Sequence, residues 1–157
     1  MLAQIYSHFT IETIYLWINF GVIPIWLALI FFPSSKLNEI FVTSIFLPII
    51  FSATYIYVAY QLFLLEENVL EAFTLYSGIN DLYDLFSNET FLLLFWIHFI
   101  SINLFLGSWV SRDSLKYNIP KFVLAISLLA IYFVGPMGLV IYWFIRIFFA
   151  KKISIYD

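Results

Sequence analysis

Four long apolar stretches, separated by short polar segments, dominate the chain. They cover residues 11–32, 40–65, 90–110 and 120–149. A helix needs about 20 consecutive, mostly apolar residues to cross the hydrocarbon of a bilayer. The pattern therefore predicts an all-α membrane protein, with four transmembrane helices forming a single domain over residues 1–157.

The segment between the second and third stretches has a different pattern. It runs from Glu66 to Glu89 and contains six acidic residues but no Lys or Arg. Its apolar residues recur at helical spacing, at Leu75, Ile79, Leu82, Tyr83 and Phe86. This spacing predicts a short amphipathic helix that lies in the membrane interface before the third span. A solvated acidic loop is the alternative.

The composition supports a membrane protein and excludes several functions. Apolar residues make up 64% of the chain and charged residues 11%, whereas soluble domains average about 25% charged residues. The net charge of −3 disfavours a nucleic-acid partner, and the absence of Cys excludes disulfides and thiolate metal sites. The first 30 residues lack the features of a signal peptide. We therefore expect a chain that is bacterial or organelle-encoded, or one that is shown after processing.

Lys and Arg residues near the ends of spans predict the orientation in the membrane. Four spans would place both termini on one side. The loops after the first and third spans contain four basic residues, and the C-terminal end, on the opposite side, contains three. The excess of one charge places the first and third loops in the cytoplasm or its equivalent. The two sets are Lys36, Arg112, Lys116 and Lys121, against Arg146, Lys151 and Lys152.

The third span contains the most informative polar residues. His98 and Asn103 lie near its centre, where a polar group is costly unless it faces protein or a cavity. With 100° per residue, His98 and Phe105 share one face of the helix. Glu89, Trp96 and Asn103 lie on another face.

The other three spans each contain an internal proline, namely Pro24, Pro48 and Pro136. A proline removes one backbone hydrogen bond from a helix, and the freed carbonyl needs another partner in lipid. The break at Gly135 and Pro136 is the sharpest. These features predict a binding site near the membrane midplane for a long apolar ligand, formed by Trp96, His98, Asn103, Phe105, Gly135 and Pro136. No charged residue lies deep in any span, which disfavours an ion pathway.

Each of these residues also has a simpler structural interpretation. His98 and Asn103 could form hydrogen bonds between helices, and the prolines could be packing kinks. Glu89 could only stabilise the helix dipole of the third span. His98 could also be an axial ligand to a chlorin or haem. A haem with two histidine ligands is disfavoured, because the other histidine, His8, lies outside the spans.

Three segments resemble a known family. They read LYDLFSNETFLLLFWIHFISINLFLGSW, VGPMGLVIYWFIR and NFGVIPIWLALIFFP, and they are similar to the neoxanthin synthase family, also called abscisic-acid-deficient-four-like proteins. The resemblance implies a four-helix membrane protein of xanthophyll metabolism, in a bacterial inner membrane or a plastid membrane such as the thylakoid. Relatives in plastids support the isomerisation of the epoxide violaxanthin to the allenic neoxanthin, a step that requires no redox cofactor.

Two positions depart from the pattern of this family. The family usually has Asp where this chain has Asn103, and often Arg where it has Ser108. An epoxide isomerisation needs a proton donor and a base, and Asn can be neither. His98 and Glu89 remain as catalytic candidates, although helical geometry places them on opposite sides of the third span.

Two functions follow as hypotheses. The first is an enzyme or accessory factor that binds or isomerises a carotenoid. The second is a non-catalytic pigment-binding or structural subunit of a larger photosynthetic or bioenergetic membrane complex, with membrane lipids and other subunits or a second copy as partners. The expected ligand is a carotenoid or chlorophyll. A transporter is disfavoured, because the spans contain neither an internal repeat nor a charge at the midplane.

Overall fold

The computed structural model of the chain describes residues 9–36, 38–42, 44, 46–65 and 77–151. All regular elements in these ranges are helical. Helix α1 is Ile11–Phe31, α2 is Phe46–Tyr60, α3 is Ile79–Phe86, α4 is Glu89–Lys116, α5 is Lys121–Val134 and α6 is Pro136–Ala150. Two π-helical segments, Asn38–Val42 and Gln61–Leu65, precede and extend α2.

Three of these helices are long and apolar enough to cross a membrane. They are Ile11–Phe31, Phe46–Leu64 and Glu89–Lys116. Large apolar side chains such as Phe20, Ile56 and Phe105 are exposed on them, as expected for surfaces in contact with lipid. The prediction of an all-α membrane protein is confirmed, but the count of four spans is not.

The fourth predicted span consists of two helices that fold back on each other. The chain reverses at Gly135, and the backbone of Gly138 packs directly against that of Ile131. In a continuous helix these two residues would be about 10 Å apart along the axis. Helices α5 and α6 have 14 and 15 residues and are each about 22 Å long, which is too short to cross a core of about 30 Å.

Glycine is required at the turn of this hairpin for two reasons. Gly135 has a φ of +51°, which side-chain-bearing residues rarely adopt. Gly138 has no side chain, and a Cβ atom there would overlap the backbone of Ala130 and Ile131. Pro136 is the first residue of α6, where its missing N–H group has no helical partner to lose. These local features of the backbone therefore permit the hairpin turn.

The sequence predicts that three prolines lie inside transmembrane helices. The structure places only Pro24 well inside a helix, in α1. Pro136 starts a helix, and Pro48 is the third residue of α2. In a first turn the backbone N–H groups have no intrahelical acceptor, so proline is tolerated there. The second span accordingly begins at residue 46 and not at residue 40.

The third span continues six residues beyond its predicted end. Polar residues at 111–114 suggested a terminus, but Ser111 and Ser114 are buried in the structure. Ser114 Oγ donates a hydrogen bond to the carbonyl of Ser111. Helix α4 can therefore include these residues without leaving their polar groups unpaired.

The predicted amphipathic helix is present as α3. Ile79 and Tyr83 are exposed, Leu85 is buried, and the ring of Phe86 packs against that of Phe91 at 5.5 Å. Leu75 lies outside the described residues. The interfacial position of α3 stays a prediction.

The chain packs as two compact units. Unit 1 comprises Met1–Gly21 and Ile49–Phe99, and unit 2 comprises Val22–Pro48 and Ile100–Asp157. Helix α1 ends in unit 2, where Asn38 Nδ2 donates hydrogen bonds to the carbonyls of Ala28 and Phe32. The α5–α6 hairpin lies wholly in unit 2. The prediction of a single domain is not tested by this division.

Candidate functional site

A cavity of about 500 Å³ lies in unit 1 between the first turns of α1 and α4. Glu12 and Glu89 both line it, each in the first turn of its helix. A carboxylate is stabilised there by the free N–H groups and the helix dipole. The other lining residues are Ile11, Tyr15, Leu92, Leu93 and Trp96. The cavity therefore combines two acidic groups with a largely apolar and aromatic wall.

The indole of Trp96 is held in place by hydrogen bonds across the two helices. Its Nε1 atom donates to Asn19 Oδ1 at 3.2 Å, and Asn19 Nδ2 donates to the carbonyl of Tyr15 at 2.7 Å. The ring of Phe99 stacks on Trp96 at 5.4 Å between centroids. Trp96 is thus a positioned wall of the cavity, which suits the binding role predicted for it.

The two predicted catalytic residues do not share this cavity. Glu89 lines it, but His98 does not. The carboxylate that accompanies Glu89 is Glu12, which the sequence analysis did not select. A signal was available, because the first and third spans start on the same side of a membrane and each has a glutamate in its first turn.

His98 is exposed on the surface of α4. It continues a stripe of exposed side chains formed in unit 1 by Leu92 and Phe95. Within the part of the chain that the structure describes, its imidazole forms no hydrogen bond. A polar ring on a lipid-facing surface is unfavourable without a partner, so this position is suited to a ligand or protein from outside the chain.

Asn103 occupies the opposite environment in unit 2. It is 5% exposed, and its Nδ2 atom is buried with no hydrogen-bond partner among the described residues. The amide packs against Gly135, so closely that a Cβ atom there would overlap it. The first N–H groups of a helix also lack intrahelical acceptors, and Gly135 is immediately followed by the first turn of α6. The turn of the hairpin therefore places the Asn103 Nδ2 atom close to N–H groups that have no acceptor within their own helix.

The other predicted site residues near the contact of Asn103 with Gly135 differ in exposure. Phe105 is 69% exposed, and Pro136 is also exposed. Ser108, which replaces a residue that is often Arg in the resembling family, is buried on α4. The structure thus brings Asn103 to Gly135 and Glu89 to Trp96, while Phe105 and Pro136 point away from the protein interior.

A buried polar cluster that the sequence pattern did not predict joins the hairpin to α4. Asp113 Oδ2 accepts hydrogen bonds from Arg146 Nε and Tyr142 Oη, both at 2.7 Å. Arg146 Nη2 donates to Tyr117 Oη at 3.1 Å, and the guanidinium lies 4.8 Å from the centre of the Tyr117 ring. Arg146 is 1% exposed. An arginine inside an otherwise apolar helix was the available signal for an ion pair.

No group of three or more His, Cys, Asp or Glu side chains in the described ranges could hold a metal ion.

Comparisons with known proteins identify the family. No curated protein and no solved structure matches the chain. A family model with the description ABA DEFICIENT 4-like matches residues 13–142, a range that extends from α1 to Tyr142 in the buried cluster of the hairpin. This match confirms the resemblance seen in the sequence: the chain is a membrane protein that belongs to the ABA DEFICIENT 4-like family.

Proposed function

We propose that this protein binds a carotenoid in a bacterial inner membrane or a plastid membrane, and that an oxygen atom of the carotenoid is held at Asn103. The observation that carries the proposal is the buried amide of Asn103, whose Nδ2 atom has no partner among the described residues. A buried donor without an acceptor costs about 1–3 kcal/mol. A bound oxygen acceptor would remove this cost.

The chemistry of a xanthophyll suits such a site. Its long polyene is apolar, and the hydroxyl or epoxide oxygens at its ends can accept hydrogen bonds. Asn103 lies beside Gly135, and Met137 and Gly138 are in the first turn of α6, where backbone N–H groups have no acceptor within their own helix. Family membership supports this ligand class, since the resembling proteins act in xanthophyll metabolism.

Binding is the function that the Asn103 site supports, because an amide neither donates nor removes a proton in catalysis. Isomerisation of an epoxide would need an acid and a base in addition. Glu12 and Glu89 are the carboxylates that line one cavity, so they replace the pair His98 and Glu89 as the candidates for proton transfer. No redox cofactor is required for such a step.

The test is to co-express the protein with a carotenoid pathway and measure the pigment absorbance per purified protein. Asn103→Leu should lose the pigment, because Leu has a similar size and no donor. Its melting temperature should stay equal or rise, because the buried amide without a partner is gone. Asn80→Leu, a change at an exposed amide of α3, is the matched control and should retain the pigment. Full pigment retention by Asn103→Leu would contradict the proposal.

The exposed imidazole of His98 favours a second candidate function. In a larger membrane complex this residue could bind a chlorophyll or a neighbouring subunit, without any catalysis. The same preparation distinguishes the two functions. Under the second one, His98→Phe loses the pigment or the co-purifying subunit, whereas Asn103→Leu retains it. A colourless, monodisperse monomer from the wild-type chain would contradict both.

A further inference from the structure

The fold-back of α6 gathers basic side chains at one end of unit 2. Hydrogen bonds from Arg146 to Asp113 and Tyr117 place the C-terminal half of α6 beside the end of α4. Lys151 directly follows α6, Lys116 ends α4, and both are exposed. Lys151 would lie on the opposite side of the membrane if residues 120–149 formed one span.

The loop after α1 lies at the same end of unit 2. A cavity of about 250 Å³ is lined by Ser34, Ser35 and Glu39 from this loop and by Arg112 and Leu115 from α4. Lys36 is part of the loop and is exposed. Lys121, at the start of α5, follows α4 after a short turn. We call this set the basic end, and its exposed members are Lys36, Arg112, Lys116, Lys121 and Lys151.

The two units differ sharply in charge. The described part of unit 1 contains four acidic residues and neither Lys nor Arg, whereas the described part of unit 2 contains six basic residues and two acidic ones. One of the two acidic residues, Asp113, is already paired with Arg146. The four acidic residues of unit 1 are Glu12, Asp81, Asp84 and Glu89.

We propose that the basic end is the cytoplasmic surface of the protein, or the equivalent surface in an organelle, and that it binds the anionic headgroups of that leaflet. Short loops rich in Lys and Arg remain on the cytoplasmic side during insertion. Anionic lipids of this leaflet attract basic residues close to the membrane surface. With four spans, the loops on the cytoplasmic side would hold only one more basic residue than the opposite side. With the hairpin, Arg146 and Lys151 return to the end that holds Lys36 and Arg112, so all the described Lys and Arg residues lie at the basic end. This orientation does not depend on the proposed carotenoid site.

The orientation can be tested with introduced cysteines, because the chain contains none of its own. Ser34→Cys marks the basic end, and Asn80→Cys marks α3, which precedes the start of the membrane-crossing helix α4; both positions are exposed. In intact cells of a bacterial host, a membrane-impermeant maleimide should label Asn80→Cys. It should label Ser34→Cys only after the inner membrane is permeabilised. The reverse pattern, or equal labelling of both variants in intact cells, would overturn the orientation.

Headgroup binding needs a separate measurement on purified protein. Native mass spectrometry would count the phosphatidylglycerol molecules retained from a mixture with phosphatidylcholine. The triple variant Lys36→Gln/Arg112→Gln/Lys121→Gln should lose about tenfold or more of the preference for phosphatidylglycerol. The charge-removing control Asp81→Asn/Asp84→Asn should keep the preference. Equal preference in the wild-type chain and the triple variant would overturn headgroup binding at the basic end.

Discussion

At the scale of single residues, Gly135 shows how one backbone conformation determines the path of the chain. Its φ of +51° is rarely adopted by residues with a side chain, and the Asn103 amide occupies the space that a Cβ atom would need. Both constraints act at the turn between α5 and α6. The turn therefore requires the absence of a side chain at this residue, whose N–H group donates to the carbonyl of Ile131 and whose carbonyl accepts from the N–H group of Leu139.

We predict that Gly135→Ala lowers the free energy of unfolding by about 1–3 kcal/mol from backbone strain, with a further loss from the overlap with Asn103. Thermal unfolding in detergent would measure the change. Gly21→Ala is the matched control, since Gly21 lies within α1 and no atom lies within 4 Å of its added Cβ position. This control should be stabilised by about 0.5–1 kcal/mol through better helix propensity. Equal melting temperatures for the two variants would show that the turn is not strained by a side chain.

At the scale of elements, the α5–α6 hairpin is held to α4 by the cluster around Asp113. The pair between Asp113 and Arg146 is almost fully buried, with side-chain exposures of 11% and 2%. Tyr142 donates a second hydrogen bond to the same carboxylate oxygen. Removing one partner of a buried pair leaves the other charge uncompensated, and this costs more than the net contribution of the pair.

Arg146→Met should therefore lower the free energy of unfolding by about 3–5 kcal/mol. The double variant Asp113→Leu/Arg146→Met should regain part of this loss, because no isolated buried charge remains. Arg112→Met makes the same change at an exposed arginine of α4 and should alter stability by less than about 0.5 kcal/mol. A double-mutant cycle from chemical unfolding measures the coupling. Additive effects of the two substitutions would mean that the ion pair does not hold the hairpin.

At the scale of the whole molecule, the described residues contain three helices long enough to cross a membrane and a hairpin of two shorter helices, and this arrangement predicts a different topology from four spans. The hairpin starts beside the end of α4 and returns to it, as the contacts of Tyr142 and Arg146 with Asp113 show. Three crossings place the two ends of the chain on opposite sides of the membrane. Four crossings would place them on the same side.

Epitope tags at the two ends would test this topology. In sealed inverted vesicles a protease should remove the C-terminal tag and leave the N-terminal tag intact, because the C-terminal end belongs to the cytoplasmic side in the proposed orientation. Solubilised protein, in which both tags are cleaved, is the control for accessibility. Cleavage of both tags, or of neither, in sealed vesicles would support four crossings instead.

The sequence was enough to identify several residues of the candidate site. It was not enough to predict which of these residues contact each other. Polarity within an apolar helix singled out Asn103 and Glu89, and the weak backbone singled out Gly135. The pairing of Asn103 with Gly135 depends on the direction in which α6 leaves the turn. The position of Glu12 in a first turn can be read from the sequence, but its place beside Glu89 in one cavity emerges only when α1 and α4 pack together.

A helical membrane protein of a recognisable family can be identified from the sequence alone, because apolar length and residue motifs are properties of local segments. The sequence also predicts α1, α4 and the short amphipathic α3 to within a few residues at most ends. The fold-back of the last apolar segment at Gly135, in contrast, becomes visible only in three dimensions. A helix that continues past Pro136 and a helix that starts there have the same hydrophobic pattern, and the difference lies in long-range partners such as Asp113 for Arg146 and Tyr142.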